Sequence, residues 1–201
     1  MLSIINHPLA QIKLTKLRQM GSQVEFRQLM YEIGLFLAIK VFEKYQSCDI
    51  IATSKIGYEF KGQNFTKPIL LVPILRAGLG LVSAFTEVEP DVRISHLGLE
   101  RQSDLSITTY LDKLPVSNDE FTVVLDPMLA TGHSLKVAID RLKELGHKNI
   151  VVASVIAAPE GVKYLEQHHS DVDIFTIALD EKLNEKGYII PGLGDAGDRL
   201  Y

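Results

Sequence analysis

The sequence predicts an α/β fold built on a parallel β-sheet, and the order of its apolar and amphipathic segments carries that prediction. Continuous apolar runs, typical of strands buried on both faces, occupy residues 69–75, 121–125, 150–156 and 173–178, with a weaker run at 93–98. Helix-like stretches lie between them at 77–87, 134–145 and 160–168. Strands that alternate with helices indicate parallel pairing through right-handed crossovers.

The first 45 residues are expected to be helical. Pro8 can open a helix because the N–H that it lacks has no helical partner in the first turn. Apolar residues then recur at spacings of three and four, at Phe26, Leu29, Met30, Ile33, Leu37 and Val41. This spacing predicts a stripe that faces the core. The irregular alternation over 50–65, around Gly57 and Gly62, predicts a short hairpin.

Length and charge bound the class of protein. The 201 residues contain no low-complexity tract, repeat or long linker, so we expect a single domain over 1–201. The formal net charge is −4. Without a basic stripe to neutralise phosphates, the chain is not expected to bind nucleic acid, and any polyanionic ligand must be held by a few placed cations.

The cysteine content and the N-terminus predict a location. Cys48 is the single cysteine, which excludes an intramolecular disulfide framework and a thiolate metal cluster and indicates a reducing compartment. The chain does not begin like a signal peptide, and no apolar run approaches the roughly 18 residues of a membrane helix. We therefore expect a cytoplasmic protein with no membrane partner.

Residues 122–134, TVVLDPMLATGHS, have the outline of a phosphate-binding loop. A buried strand ends at Asp126, and a helix begins near Thr131 to Ser134. Free N–H groups at the helix start and the two hydroxyls can hold a monophosphate, while Asp126 can accept hydrogen bonds from sugar hydroxyls. The segment has no GKS or GKT triplet and is not a Walker loop. The alternative is that Thr131 only caps an ordinary crossover helix.

Arg76 follows the apolar run 69–75 and precedes Ala77 and Gly78. Ligands of parallel sheets bind beyond the carboxyl ends of the strands, where Arg76 is expected to lie. A guanidinium group there can form two parallel hydrogen bonds with a diphosphate. The alternative is a surface arginine that begins a helix.

Three segments resemble motifs of the uracil phosphoribosyltransferase family and follow one another along the chain in the same order as in that family. DPMLATG (126–132) is similar to that family's loop for 5-phosphoribosyl 1-diphosphate (PRPP), VPILRAGLG (72–80) to its pyrophosphate loop, and GYIIPGLGDAGDR (187–199) to its uracil-binding segment. Shorter matches are HPL (7–9), KLP (113–115), AAPEG (157–161) and DEKLNEKG (180–187). The resemblance implies a type I phosphoribosyltransferase fold, with a parallel sheet flanked by helices, a hood formed by terminal segments and a flexible hairpin arm.

The resemblance also implies the site residues. PRPP would be bound by Arg76, Arg101, Asp126, Pro127, Met128, Leu129, Ala130, Thr131, Gly132, His133, Ser134 and Asp195. Uracil would be bound by Ile189, Gly194, Asp195 and Ala196. Arg76, Arg101 and Asp195 would stabilise the transition state and the leaving group. Tyr110 matches a tyrosine of the family's arm and would also be catalytic, and the alternative is that Tyr110 only packs against its neighbours.

The segment PGLGDAGDR (191–199) suggests how a base would be recognised. Its three glycines and two aspartates favour an exposed, rigid strip of backbone N–H and C=O groups. An N–H that donates to O4 of uracil cannot reverse its role for cytosine, whose amino group also donates, so the wrong base would leave buried polar groups unpaired. The alternative is a Gly-rich loop closed by an ion pair between Asp198 and Arg199, and we expect that pair to have a structural role.

The chain departs from the family pattern at two places, the arm and position 133. The arm has Gln102 and Ser103 where the family has an acidic stretch, and it is one residue shorter between Arg101 and Lys113. His133 replaces a glycine. Pro127 follows Asp126 where many phosphoribosyltransferases have a second acidic residue, so we expect Mg²⁺ to arrive with PRPP and expect no dedicated metal site.

The ligand loops agree with the family resemblance, which implies an enzyme that converts uracil and PRPP to UMP and diphosphate. The resemblance also implies that the enzyme uses Mg²⁺ and no organic cofactor. The resemblance also implies a homodimer or a higher homo-oligomer, and GTP as an effector. Two alternatives stay open. One is a PRPP- or nucleotide-sensing regulator on the same fold, and the other is a phosphoribosyltransferase with another base preference.

Overall fold

The computed structural model describes residues 1–19, 21–101 and 107–201, and for Arg101 only the backbone. The helices are α1 (Pro8–Arg18), α2 (Gln23–Phe42), α3 (Leu79–Val88), α4 (His133–Glu144), α5 (Pro159–His168) and α6 (Ala196–Leu200). The strands are β1 (Leu2–Ile4), β2 (Ser47–Thr53), β3 (Glu59–Phe65), β4 (Ile69–Leu75), β5 (Val92–Ile94), β6 (Leu97–Arg101), β7 (Ile107–Asp112), β8 (Phe121–Leu125), β9 (Met128–Leu129), β10 (Asn149–Ala157), β11 (Asp173–Leu179), β12 (Lys182–Leu183) and β13 (Ile189–Ile190).

The central sheet confirms the predicted α/β class. Its strands follow the order β1-β11-β10-β8-β4-β6-β7, with β5 beside β4 and β9 beside β10. Every pairing is parallel except that of β6 with β7. The predicted runs at 69–75 and 121–125 coincide with β4 and β8, and the runs at 150–156 and 173–178 fall within β10 and β11.

The central strands are continuously apolar because helices cover both faces of the sheet. Along β4, Leu71 packs into one core cluster with residues of α1, α2, α3 and α6. Its neighbours Leu70 and Val72 point to the other face and pack with residues of α4 and α5. Alternate side chains on a strand point to opposite faces, so a sheet with two covered faces needs apolar residues at both parities.

The N-terminal region is mostly helical, as predicted, but it begins with a strand. Pro8 lies in the first turn of α1, and most of the predicted stripe on α2 is fully buried, from Phe26 to Val41. The three residues of β1 pair with β11, with Leu2 opposite Ile174. A strand of three residues is too short to show a recognisable alternation of apolar and polar residues. It forms because β11 offers a partner for hydrogen bonding at this end of the sheet.

Strands β2 and β3 form the predicted hairpin, which turns near Gly57 at φ 89°. Every residue of the two strands is exposed except Ala52 and Gly62, which are half-buried. Among the described residues, no helix is long and apolar enough to cross a membrane.

Candidate active site

The turn after β4 is packed closely against the end of β8. A Cβ atom on Gly78 would lie 2.3 Å from the carbonyl oxygen of Leu125, so only glycine fits there. The close approach brings Arg76, at the tip of β4, next to the loop that leaves β8. The Arg76 side chain is 64% exposed, and its Nη2 lies 3.7 Å from Oδ1 of Asp198. Arg76 is therefore available to an anion at this edge of the sheet.

Residues 126–134, which we call the PRPP loop after the resemblance found in the sequence, connect β8 to α4. Within the loop, β9 pairs with β10, and Gly132 precedes α4 with φ 83°, a conformation that favours glycine. The loop surrounds a cavity of about 180 Å³, the PRPP cavity. Its lining residues are Asp126, Met128, Leu129, Ala130, Thr131, Gly132, Ser134 and Leu135. The left-handed residue is Gly132 and not His133, so the histidine imposes no backbone strain there.

The first turn of α5 supports the PRPP loop from behind. A Cβ atom on Gly161 would lie 2.2 Å from the carbonyl oxygen of Ala130, and one on Gly132 would lie 3.0 Å from the carbonyl oxygen of Gly161. The segment AAPEG, noted in the sequence for its resemblance alone, supplies this glycine. Its presence allows the loop backbone to pack directly on the helix.

Asp126 occupies the tip of β8 beside the PRPP cavity. It is half-buried, and from the described residues its Oδ1 accepts one long hydrogen bond, of 3.4 Å, from the N–H of Met128. Burial raises the pKa of Asp126 to about 7, and the hydrogen bond from Met128 opposes part of that rise. The carboxyl group therefore changes charge near neutral pH.

A second cavity of about 400 Å³, the base cavity, lies against residues 189–195, the base loop. Its lining residues are Met128, Ala130, Lys186, Gly187, Tyr188, Ile189, Gly192, Leu193, Gly194 and Asp195. Gly192 and Gly194 have φ of 67° and 79°, which turn the backbone sharply. Met128 and Ala130 line both cavities, so the PRPP cavity and the base cavity adjoin.

A buried ion pair holds the base loop to the N-terminal segment. Arg18, at the end of α1, donates to both oxygens of Asp180 at 2.7 and 2.5 Å and to the carbonyl oxygen of Gly192 at 2.6 Å. Asp180 also accepts the N–H of Gly192 at 3.0 Å. The Asp180 side chain is 3% exposed. Both backbone groups of Gly192 are thus fixed by one charged pair.

Arg199 holds the base loop from the C-terminal side. Its guanidinium donates to the carbonyl oxygens of Leu17, Leu193 and Gln19 at 2.8, 2.7 and 2.8 Å, and it lies 4.0 Å above the ring of Phe26. Burial lowers its pKa. The expected ion pair between Asp198 and Arg199 is wrong, because neighbouring helix positions face different directions and Arg199 turns to carbonyl groups instead.

The comparison with protein families decides the classification. The family model for uracil phosphoribosyltransferase matches residues 4–201. The chain belongs to the uracil phosphoribosyltransferase family.

Curated relatives agree with this family, and a solved structure has a closely similar fold. The chain is 48% identical to the uracil phosphoribosyltransferase of Pediococcus pentosaceus, over 98% of this chain and 96% of that protein. It is 44% identical to that of Streptococcus pneumoniae, over 100% and 97%. The AQ2163 protein from Aquifex aeolicus superposes with a TM-score of 0.95 at 36% identity, covering 100% of this chain and 98% of that one.

More distant structures share the type I phosphoribosyltransferase fold that was predicted. The purine phosphoribosyltransferase from Pyrococcus horikoshii has a TM-score of 0.51 at 19% identity, over 73% of this chain and 82% of that one. The predicted hood corresponds to the terminal segments joined by Arg18 and Arg199. The predicted hairpin arm corresponds to the antiparallel strands β6 and β7. Residues 102–106, which include Gln102 and Ser103, lie outside the described residues.

Most of the loop residues that the family resemblance implies line one of the two cavities. Every predicted residue of the PRPP loop except Pro127 and His133 lines the PRPP cavity, and Ile189, Gly194 and Asp195 line the base cavity. Ala196 is fully buried and lies outside that lining. The Asp195 side chain caps α6 by accepting the N–H of Asp198. The base cavity is also lined by residues that were not among the predicted ones, namely Lys186, Gly187, Tyr188, Gly192 and Leu193. All of these except Lys186 lie within the segment 187–199 that resembles the family's uracil-binding segment.

Two predicted site residues, Arg101 and Tyr110, belong to the arm formed by β6 and β7. Arg101 ends β6, opposite Ile107 of β7. Tyr110 is 54% exposed, and its ring covers Gly98, where an added Cβ atom would lie 2.5 Å from Cε2 of the tyrosine. This contact explains Tyr110 by packing across the strand pair.

The donor set of the site fits a magnesium ion that is carried by a phosphorylated substrate. Within the described part of the chain, no three or more His, Cys, Asp or Glu residues are arranged to hold a metal. Asp126 provides one carboxylate beside the open PRPP cavity. Magnesium commonly binds one or two carboxylates and takes its other ligands from water and phosphate oxygens.

Proposed function

We propose that this chain transfers the 5-phosphoribosyl group of PRPP to uracil, giving UMP and diphosphate. One observation carries the proposal beyond family membership: a cavity surrounded by a helix-initiating loop adjoins a cavity lined by backbone of the base loop. The first suits a sugar phosphate and the second a planar base. Met128 and Ala130 separate the two, which suits a reaction between a base and a sugar.

The PRPP loop would bind the ribose 5-phosphate. N–H groups at the start of α4 and the hydroxyls of Thr131 and Ser134 surround an anion on the positive end of the helix dipole. Asp126 would accept hydrogen bonds from the ribose hydroxyl groups. It accepts these best when ionised, and its pKa of about 7 leaves a large ionised fraction at neutral pH.

Arg76 and Arg101 would bind the diphosphate. Asp126 could help to hold a Mg²⁺ ion that arrives with PRPP, and such an ion would supply positive charge to the leaving group. Arg76 is suited to this role because it is exposed at the end of β4 and its distance from Asp198 exceeds a hydrogen bond. Arg101 keeps its role as a prediction from the family pattern.

The base loop would orient uracil so that its N1 atom faces C1 of the ribose. The bond from C1 to the diphosphate breaks as the bond from N1 to C1 forms, and positive charge develops on the sugar. The proton that N1 carries in free uracil is released to solvent. Catalysis then depends on positioning and on electrostatic stabilisation of both charges. Asp195 is exposed on the cavity lining and can stabilise the sugar side, while Ile189, Gly194 and Ala196 would contact the base.

We also propose that the protein forms a homodimer or a higher homo-oligomer. One face of the β2–β3 hairpin presents Ile50 and Phe60, whose side chains would lie 3.7 and 3.4 Å from a Cβ atom added to Gly62 and which are 36% and 51% exposed. An exposed apolar face on a two-stranded hairpin is a common association surface. A single domain over 1–201, a cytoplasmic location and GTP as an effector stay predictions.

The proposal is tested by measuring diphosphate release with PRPP, Mg²⁺ and each of uracil, cytosine, xanthine and hypoxanthine. Release with uracil alone is the expected result. Release with another base would support a different base preference. No release with any base, combined with a rise in melting temperature on adding PRPP, would support the sensor alternative.

A further inference from the structure

Two consecutive carbonyl groups of the base loop are held by guanidinium groups from opposite ends of the chain. Arg18 donates to the oxygen of Gly192 at 2.6 Å, and Arg199 donates to the oxygen of Leu193 at 2.7 Å. The two arginines belong to α1 and α6, which form the hood. Their positions are themselves fixed, Arg18 by Asp180 and Arg199 by the carbonyl groups of Leu17 and Gln19.

These contacts determine where the partner N–H groups point. The peptides that follow Gly192 and Leu193 are trans. In a trans peptide the C=O and N–H groups point in opposite directions. The N–H groups of Leu193 and Gly194 therefore point away from the guanidinium groups. Leu193 and Gly194 both line the base cavity.

The two N–H groups also have no acceptor within the described part of the protein. Among the hydrogen bonds of the described residues, neither the N–H of Leu193 nor that of Gly194 donates to a protein acceptor. Gly192, by contrast, donates its N–H to Asp180. A peptide donor that faces a cavity without a protein partner is available to an acceptor that a ligand brings.

We propose that Arg18 and Arg199 are positioning residues for base selection. By holding the carbonyl oxygens of Gly192 and Leu193 outward, they present N–H donors to the base cavity and favour a base with a carbonyl group over one with an amino group. The inference rests on the proposed function. It adds that selectivity depends on residues that do not touch the base.

The same geometry predicts what happens when a carbonyl group is released. Without the Arg199 contact, the peptide between Leu193 and Gly194 can rotate and turn its carbonyl oxygen toward the cavity. A carbonyl oxygen can accept from the amino group of cytosine and cannot donate to O4 of uracil. Loss of Arg199 is therefore expected to reduce uracil use and to raise cytosine use relative to it.

The test compares Arg199→Lys with the matched control Arg27→Lys. Arg27 donates to one carbonyl oxygen of the same C-terminal helix, that of Leu200 at 2.9 Å, and contacts no residue of the base loop in the described hydrogen bonds. A lysine keeps the charge but cannot reproduce the three forked contacts of Arg199. Steady-state rates are measured with uracil and cytosine at saturating PRPP, and the KM for PRPP is measured separately.

In Arg199→Lys we expect the KM for uracil to rise about tenfold or more and the uracil-to-cytosine ratio of kcat/KM to fall at least about tenfold. The KM for PRPP should change less than about threefold, and Arg27→Lys should resemble the wild type. Equal changes in both KM values, an unchanged base ratio, or an unfolded Arg199→Lys beside a folded Arg27→Lys would overturn the inference.

Arg18→Lys provides a second test and should shift the base ratio in the same direction. A wild-type protein that does not turn over uracil would contradict the proposed function itself. That outcome is distinct from an active wild type whose arginine variants keep full selectivity, which contradicts only the positioning role.

Discussion

A Cβ atom on Gly161 would lie 2.2 Å from the carbonyl oxygen of Ala130, so the first turn of α5 and the PRPP loop are in direct backbone contact. The carbonyl belongs to the loop and the glycine to the helix that follows β10. A side chain of any size at 161 would displace the loop that surrounds the PRPP cavity. The geometry of the phosphate site therefore depends on a residue outside it.

We expect Gly161→Ala to weaken PRPP binding more than uracil binding. The methyl group forces the loop to move, and a shift of about 1 Å at a reacting centre can reduce a rate about 100-fold. The loss should appear as a rise of about tenfold or more in the KM for PRPP. Gly62→Ala is the control, because its Cβ atom would meet side chains only at 3.4 Å or more. Similar kinetics for the two variants would contradict this role for Gly161.

We expect Asp126→Asn to have opposite effects on binding and stability. Burial raises the pKa of Asp126 from 3.8 to about 7 in the folded state, while the unfolded chain titrates near the ordinary value. Between these values the unfolded state binds fewer protons, so the free energy of unfolding of the wild type falls as pH rises. Well below pH 3.8 and well above pH 7 this contribution is constant.

The asparagine variant lacks that pH-dependent loss. The difference in melting temperature, variant minus wild type, should increase as the pH rises from about 4 to about 7. At pH 8 the variant should have the higher melting temperature. PRPP binding should weaken about tenfold or more, because a charge-assisted hydrogen bond to the ribose is lost. A variant that loses melting temperature and PRPP binding together would indicate a structural role for Asp126.

We expect Tyr110 to act through packing. Tyr110→Phe keeps the ring over Gly98 and should retain kcat within about twofold, whereas Tyr110→Ala uncovers Gly98 and should lower stability by about 1 kcal/mol, the scale of a cross-strand pair. Kinetics and thermal unfolding of both variants check this. A loss of about 100-fold in kcat for Tyr110→Phe would show that the hydroxyl group takes part in the chemistry.

We expect Phe60→Glu to disrupt the proposed homo-oligomer. Phe60 lies on the apolar face of the hairpin, and a carboxylate there is costly to bury in an interface. Gln63→Glu is the control, since position 63 is on the same strand but, at odd parity, on the opposite face. Sedimentation velocity should show a smaller species for Phe60→Glu only. Equal sizes for both variants and the wild type would contradict an interface on this face.

The parts of the fold that sequence predicted are those encoded by continuous local pattern. Strands β4 and β8 coincide with the predicted runs because both of their faces are buried and every position is apolar. The weaker run at 93–98 divides into β5 and β6, which pair with different parts of β4. Such a division depends on the neighbouring strand and has no local signal.

The supports of the candidate site could not be predicted because they join distant segments. Arg18 and Asp180 are 162 positions apart, and neither has a pattern that identifies its partner. Arg199 was expected to pair with its sequence neighbour Asp198. It donates instead to the carbonyl oxygens of Leu17 in α1, of Gln19 just after α1, and of Leu193 in the base loop. Loop motifs indicate where ligands bind, whereas the contacts that hold loops in place become visible only in the folded chain.

The most direct test of the proposed function is UMP formation from uracil and PRPP in the presence of Mg²⁺, measured for the wild type and for Asp195→Asn. Asparagine can still cap α6, so this variant removes the charge beside the base cavity and keeps the helix start. We expect UMP and diphosphate in equal amounts from the wild type and at least about a tenfold lower rate from the variant. A wild type that binds PRPP but forms no UMP would contradict the proposed function.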